Sequence, residues 1–355
     1  MTDKKKNDGI IDRTLEEQTI TPHDLSPLTL PKQEGLSGFT AMLQGTGTNK
    51  LTQINTRTSL PKVDPVTKEA TIESGDYKVF FEKYNELAAG LRISTYKLLD
   101  ACTIALTGQN SYRGEGEMRT MVTISLDEYM ELCGIPDTKP SKDKLRRRVQ
   151  EDLEILYSIS IEWSEKSGGN TFDYSKMRIV SSQGIRRGNI ILSFSAEFAK
   201  YLTDAYIMQY PKELLKIDER NGSGYHIGRK LLLHHSIDNN RRNGTANIIS
   251  VRALLDVCPD LPSYDDVMSA GRQVEQRIKK PFENALDALN FITWEYSNSK
   301  GVPLTDGQAE STGYIDFIST FIKFTVTDFP DQTARLERRS AENNSEAEKK
   351  RKRKQ

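Results

Sequence analysis

Cysteine is scarce in this chain, with three residues among 355. Cys102, Cys133 and Cys258 are odd in number and scattered, and none has the spacing of a zinc ligand pair. Each sits in an apolar helical pattern, which fits buried thiols in a reducing cytosol and a cytoplasmic protein. Long apolar runs are missing as well. No stretch approaches the roughly 20 residues of a membrane helix, and MTDKKKNDGIIDRTLEEQ has no apolar run behind its lysines, unlike a secretory signal. Histidine is limited to His23, His226, His234 and His235, with no His-x-His pair. A nicking enzyme of the rolling-circle kind needs such a pair to hold its metal. No GxxxxGK[ST] phosphate loop occurs, and Gly114-Glu115-Gly116 lacks the strand-to-helix context of a nucleotide site. The chain is therefore expected to be no enzyme, with no catalytic residues, no cofactor and no metal.

Net charge is also lacking: 50 basic residues balance 50 acidic ones. That argues against a nonspecific nucleic-acid coat, which would be basic throughout, and directs attention to local clusters. Apolar residues make up only 36% of the chain, so part of it is expected to lie outside any packed core. Residues 1–76 are rich in Thr, Pro, Gly and Lys without periodicity and read as a disordered arm. Residues 330–355 read as a disordered tail ending in the basic block Lys349 to Lys354. Between them lie two expected domains, 77–205 and 206–329.

Those two domains repeat. TISLDEYMELCGIP (Thr123 to Pro136) matches IISVRALLDVCPDLP (Ile248 to Pro262) at an offset of about 125 residues, with Ser125 on Ser250 and Cys133 on Cys258. LEILYSISIEW (Leu153 to Trp163) then matches LDALNFITWEY (Leu286 to Tyr296). Two blocks in the same order point to two copies of one module.

In the first copy, Val122 to Ile124 is β-branched and reads as a strand. Ser125 with Glu128 forms a capping box for a helix whose buried face is Leu126, Tyr129, Met130 and Cys133. Gly134 and Pro136 end it. A second helix is expected from a cap at Ser141, with Leu145, Val149, Leu153 and Leu156 inward. Ile159, Ile161 and Trp163 alternate as a strand, and a turn at Gly168-Gly169-Asn170 with a return run at Met177 to Val180 makes a hairpin. A further turn, Gly184 to Gly188, leads into NIILSF. Helix, turn, helix, hairpin is the winged-helix order, and the fold class expected is α+β with two tandem winged-helix domains. The second copy offers a helix from about Tyr225 to Ile237, a strand at Ile248 and a helix capped by Ser250. A long helix follows with Val274, Ile278, Phe282, Ala285 and Leu289 inward and Pro281 kinking it or starting a new segment. Strands at Phe291 to Tyr296 and Tyr314 to Val326 are expected to form the second wing.

In helix-turn-helix folds the second helix enters the major groove with its N-terminal residues near the bases. Lys142, Lys144, Arg146, Arg147 and Arg148 occupy that end in the first copy. Arginine pairs in bidentate fashion with guanine, and lysine reaches guanine or phosphate. Arg186 and Arg187 sit on the Gly184–Gly188 turn, suited to phosphate or the minor groove. In the second copy Arg272, Arg277, Lys279 and Lys280 decorate the long helix, mixed with Glu275 and Glu283. Two modules would span successive major-groove faces about 34 Å apart.

ISLDEYMELCGIP, the basic helix running into LEILYSISIEW, NIILSFSAEFAKYL, YPKELLKIDERNGSGYHIGRKLLLHH and RIKKPFENALDALNFITWEY together resemble the iteron-binding plasmid replication initiators. The resemblance covers roughly residues 80 to 327. It implies a DNA-binding protein of a plasmid or mobile element that binds direct repeats at an origin and helps to open adjacent AT-rich DNA. It also implies host replication proteins as partners and, for repression of its own gene, a homodimer. Lys142 to Arg148 would be the first reading helix and Arg272 to Lys280 the second. The long N-terminal arm and the stretch from Val302 to Thr312 depart from the family pattern. A winged-helix transcription regulator and, from another class, a nicking enzyme are the competing readings.

Overall fold

The computed structural model describes residues 39–44, 62–67, 69–74, 77–81, 92–111, 120–167, 171–199, 206–236, 238–258, 260–269, 273–305 and 313–326. Within the stretch expected to be a disordered arm, three strands are present: β1 (Phe39–Gln44), β2 (Lys62–Val63) and β3 (Ala70–Ser74). They form because partners lie far along the chain. β1 pairs antiparallel with Tyr206–Pro211, and β3 pairs with β4 (Tyr77–Phe81). Local composition carries no trace of such pairings. The expectations for residues 1–38 and 330–355 lie outside the described residues, as do those for His23, the Gly114–Gly116 loop and Arg272.

The first unit starts with α1 (Ile93–Ser111), then β5 (Met121–Ser125), α2 (Leu126–Leu132) and α3 (Lys139–Ser158). Next come β6 (Ile159–Ser167), β7 (Thr171–Arg178), β8 (Val180–Arg186) and β9 (Asn189–Phe194). The hairpin β6–β7 does not join the winged-helix sheet. It pairs with β4 in a five-stranded sheet ordered β2-β3-β4-β6-β7, while β5, β9 and β8 form a separate three-stranded sheet. The wing is therefore β8–β9. The β6–β7 hairpin is an insertion, and its neck closes where the Ile179 N–H donates to the Ile159 carbonyl at 3.3 Å.

The strand β10 (Tyr206–Pro211) and the short α4 (Lys212–Lys216) lead into the second unit. It contains α5 (Gly222–Ser236), α6 (Asp238–Arg242), β11 (Ile248–Ser250), α7 (Val251–Leu255) and α8 (Tyr264–Ser269). A π-helical turn at Glu275–Lys279 runs into α9 (Lys280–Asp287), followed by β12 (Ile292–Ser297), α10 (Tyr314–Ser319) and β13 (Phe321–Val326). The sheet order is β11-β13-β12. Residues 314–319, expected in a strand, are helical, and Phe317 drives this by burying its ring edge-on against Phe282 at 5.8 Å.

The duplication is visible in backbone detail. Ser125 and Ser250 both cap the following helix in extended conformation, with φ, ψ of −68°, 149° and −69°, 143°. The Leu126 N–H donates to Gly188 O at 2.8 Å, and its counterpart Val251 donates to Thr320 O at 3.0 Å. In each unit this bond staples the start of the helix-turn-helix to the residue before the last strand. The second pair of sequence blocks has a larger offset because the second unit carries α8 between α7 and the π turn, and although that match sets β6 against β12, the strand that holds β12's place in the first unit's sheet is β8. The core runs through both units, from Val122, Leu153 and Phe194 to Leu254, Phe282 and Phe324, all 2% exposed or less. Cys102 and Cys258 are buried and Cys133 is half-buried, and burial pushes the Cys102 thiol up to about 12 and the Cys133 thiol to about 11.

Candidate nucleic-acid interface

The first unit's helix-turn-helix is built by paired caps. Ser125 Oγ accepts from the Glu128 N–H while the Glu128 carboxylate accepts from the Ser125 N–H, completing the expected capping box. At the other end, Gly134 N–H donates to Glu131 O and Ile135 N–H to Met130 O, a Schellman closure. It needs a left-handed residue, which Gly134 supplies with φ of 64°. The helix α3 begins at Lys139, three residues before the start expected from a cap at Ser141. Thr138 rather than Ser141 is the cap: its Oγ1 accepts from Ser141 N–H at 3.3 Å, and Pro140 fits the first turn because no backbone donor is required there.

Leu145, Val149, Leu153 and Leu156 face inward, as their spacing predicts. The five cations near the start of α3 then divide by their surroundings. Lys142 is held between Asp127 at 2.8 Å and Asp137 at 2.9 Å, which tie the two helices of the motif together. The hydrogen bonds to Asp127 and Asp137 push its ammonium above the usual lysine range. Arg148 pairs with Glu219, on the turn before α5. Arg146 lies 3.7 Å from Asp143 on the helix surface. Lys144 and Arg147 are exposed and, among the described residues, have no carboxylate within ion-pair distance.

These side chains border a groove of about 730 Å³ whose lining includes Arg92, Lys139, Lys144, Arg147 and Arg148 against the carboxylates of Asp143 and Glu151. Arg92 is engaged by Glu151 at 3.0 Å and Asp152 at 3.1 Å, so the outward cations of the groove are Lys139, Lys144 and Arg147. A helix starting from a cap at Ser141 leaves Lys139 outside it, whereas the cap at Thr138 brings Lys139 into the first turn. The Thr138-x-x-Ser141 pair, with Pro140 between, was the available signal.

The wing tip carries Arg186 and Arg187, both exposed. Arg187 and Gly188 have φ of 48° and 79°, so β8 and β9 are joined by a tight two-residue turn rather than a loose tip. Both arginines stand beside the start of α2 and do not line the α3 groove. In the second unit Arg277 and Lys280 are exposed. Lys279 points the other way. It is 7% exposed, with Nζ 3.7 Å from Glu275, and is not available to a ligand. Pro281 explains this. Lacking an N–H, and crowding the carbonyl four residues back, it breaks the regular ladder. The Lys280 N–H donates to Glu275 O across a wider turn, and the rotated helix carries Lys279 inward beside Ile278.

The histidines are structural in their contacts. His226 is 2% exposed and packs edge-on to Tyr96 at 5.4 Å, and burial lowers its pKa to about 3, with Arg229 adding to the effect. His234 Nε2 lies 2.9 Å from two backbone carbonyls, and His235 Nδ1 lies 2.7 Å from Asn247 Oδ1. Among the described residues no group of three metal-ligating side chains is close enough to hold an ion, and no helix is long and apolar enough to cross a membrane.

Residues 70–217 match the family model described as initiator replication protein, WH1. That match covers less than half of the chain, and it is a likeness of this span to the first winged-helix domain of initiator replication proteins. The matched span runs from β3 to the residue after α4, so it takes in the inserted hairpin and the groove beside α3. Among solved structures, the chain is similar to a crystal structure of selenomethionine derivatives of domain 2 and domain 3 of RctB. The likeness is 9% identity with a TM-score of 0.42, over 78% of this chain and 98% of that one. A TM-score below 0.5 does not establish a shared fold. No curated protein sequence matches the chain.

Proposed function

We propose that this chain is a replication initiator that binds specific double-stranded DNA at the direct repeats of an origin and promotes opening of the adjacent duplex. The observation that carries the reading is the pair of unopposed cations, Lys144 and Arg147, one turn apart on the helix that holds the reading position of a winged-helix motif. Lys139 adds a third charge to the same groove. Arg186 and Arg187 on the wing tip are suited to phosphate or minor-groove contact, and Arg277 and Lys280 to a second half-site. Lys142, Arg146 and Arg148 take a supporting part, since carboxylates already neutralise them. The host setting is the cytoplasm of a bacterium carrying a plasmid or other mobile element, with host replication proteins and a second copy of the chain as partners.

Footprinting on the DNA flanking the gene tests this. Protection of tandem direct repeats beside an AT-rich stretch is expected. Protection of a single promoter palindrome instead would make the protein a transcription regulator, and Mg²⁺-dependent nicking of supercoiled plasmid by the purified chain would make it an enzyme.

A further inference from the structure

The two units meet at their first helices, α1 and α5, through side chains that are almost completely buried. Asp100 on α1 is 2% exposed and Arg229 on α5 is 4% exposed. Arg229 Nη1 donates to one oxygen of the Asp100 carboxylate, and the Tyr225 hydroxyl donates to the other. Tyr210, 0% exposed, sits beside the same group. Burial opposes the Arg229 charge, but the Asp100 carboxylate more than offsets it and keeps the guanidinium ionised. Tyr96 from α1 stacks on Tyr225 at 6.4 Å. A charge pair removed from water has a narrow geometric optimum, because its attraction must offset the lost hydration of both ions. Such a contact tolerates little sliding or rotation of one helix on the other.

Each of the two helices is also fastened to a reading helix. On one side, Asp152 of α3 accepts hydrogen bonds from Thr95 Oγ1 at 2.7 Å, Ser94 Oγ at 3.0 Å and Arg92 Nη2 at 3.1 Å at the start of α1. On the other, α5 approaches the end of α9 so closely at Gly228 that an added Cβ would lie 3.1 Å from Leu289 Cδ2. The line α3–α1–α5–α9 is thus continuous and packed, with Arg92–Asp152 joining α3 to the start of α1 and Asp100–Arg229 joining α1 to α5 across the two units.

We infer that Asp100 and Arg229 are positioning residues that fix the separation and rotation of the two reading helices, and so set the spacing of DNA contacts that this chain accepts. The inference rests on the DNA-binding reading given above. It assigns the pair no contact with DNA. With the joint rigid, both units engage a duplex only where their two sets of contacts are correctly spaced, because insertion of one base pair moves the second site along and around the helix. With the joint loosened, the second unit reaches contacts at several spacings but loses the advantage of being held in place.

The test uses the full chain with Asp100→Leu and Arg229→Met together, a replacement of a buried ion pair by apolar side chains that packed interiors tolerate. Two readouts are taken. The first is the distance between spin labels at Gln150→Cys on α3 and Asn284→Cys on α9, both exposed, measured without DNA. A narrow distribution is expected in the parent and a broad or shifted one in the double variant. The second is affinity for the footprinted target with one or two base pairs added between the contacts of the two units. The parent is expected to lose about tenfold or more per insertion, and the variant to treat all spacings within about threefold. An unchanged label distance, or unchanged discrimination between spacings, overturns the inference. If the parent binds no duplex at all, the DNA-binding reading fails, while the label distance still decides whether the joint is rigid. Should the double variant not fold by circular dichroism, Arg229→Lys serves in its place. It keeps the charge but loses the planar fork, and an unchanged label distance in that variant would equally overturn the inference.

Discussion

Arg148 on α3 forms an ion pair with Glu219, on the turn that leads into the second unit. Its neighbour Arg147 has no carboxylate within ion-pair distance among the described residues. Two adjacent arginines in a run of three therefore have different work. Replacing Arg147 by Ala is expected to weaken duplex binding and to lower the slope of log affinity against log salt by about 0.9, the value for one phosphate contact. Lys144→Ala should behave alike. Arg148→Ala should change the slope much less, because its charge is already opposed. Fluorescence anisotropy across a KCl series checks this, and equal slopes for all three variants would remove Lys144 and Arg147 from the interface.

The matching caps make a stability prediction. Ser125→Ala and Ser250→Ala each remove a side-chain acceptor at the start of an equivalent helix. Each is expected to cost about 1 kcal/mol. The two caps sit in separate units without shared partners, so the double variant should lose close to the sum. Urea denaturation measures all three.

Gly228 is expected to tolerate no side chain. A Cβ there would lie 2.7 Å from Leu214 Cδ1 and 3.1 Å from Leu289 Cδ2. Gly228→Ala should destabilise the chain by about 1–3 kcal/mol through overcrowding, despite the better helix propensity of alanine. A gain in stability would show that α4 and α9 yield easily at this point.

His226 predicts a pH dependence. Its folded pKa is depressed to about 3 from 6.5, first by burial and then by Arg229. A depressed group binds fewer protons in the folded state, so its contribution to stability is present above about pH 6.5 and declines as pH falls toward the folded value. Between pH 6.5 and 5 the loss from this residue should approach about 2 kcal/mol. Denaturation curves at both pH values should show that loss in the parent and a smaller one in His226→Gln.

The sequence was readable where structure is set by near neighbours. Ser125 with Glu128, Gly134, and the inward face Leu145, Val149, Leu153 and Leu156 all act within a few residues, and all stand as their spacing predicts. The basic run on α3 was equally plain, though its division into opposed and unopposed charges was not. Asp127, Asp137 and Glu219 reach those side chains through the fold, the last from 71 residues away. Lys279 shows a different failure. A helical wheel assumes 100° per residue, and the π turn before Pro281 breaks that assumption. Tyr314 to Ser319 reads as a strand because its residues are aromatic and β-branched, yet a place for Phe317 beside Phe282 favours the helix. The early strands β1 and β3 depend on partners across the chain, and no local pattern announces them.

The inserted β6–β7 hairpin enters and leaves through Ile159 and Ile179, whose backbones touch and whose side chains are fully buried. A segment hung from so tight a collar can vary in length or composition while the helix before it and the wing after it keep their places. Growing, trimming or exchanging this appendage should leave the adjoining winged-helix sheet and α3 undisturbed. It is also the natural place to graft a tag or reporter into the interior of the chain.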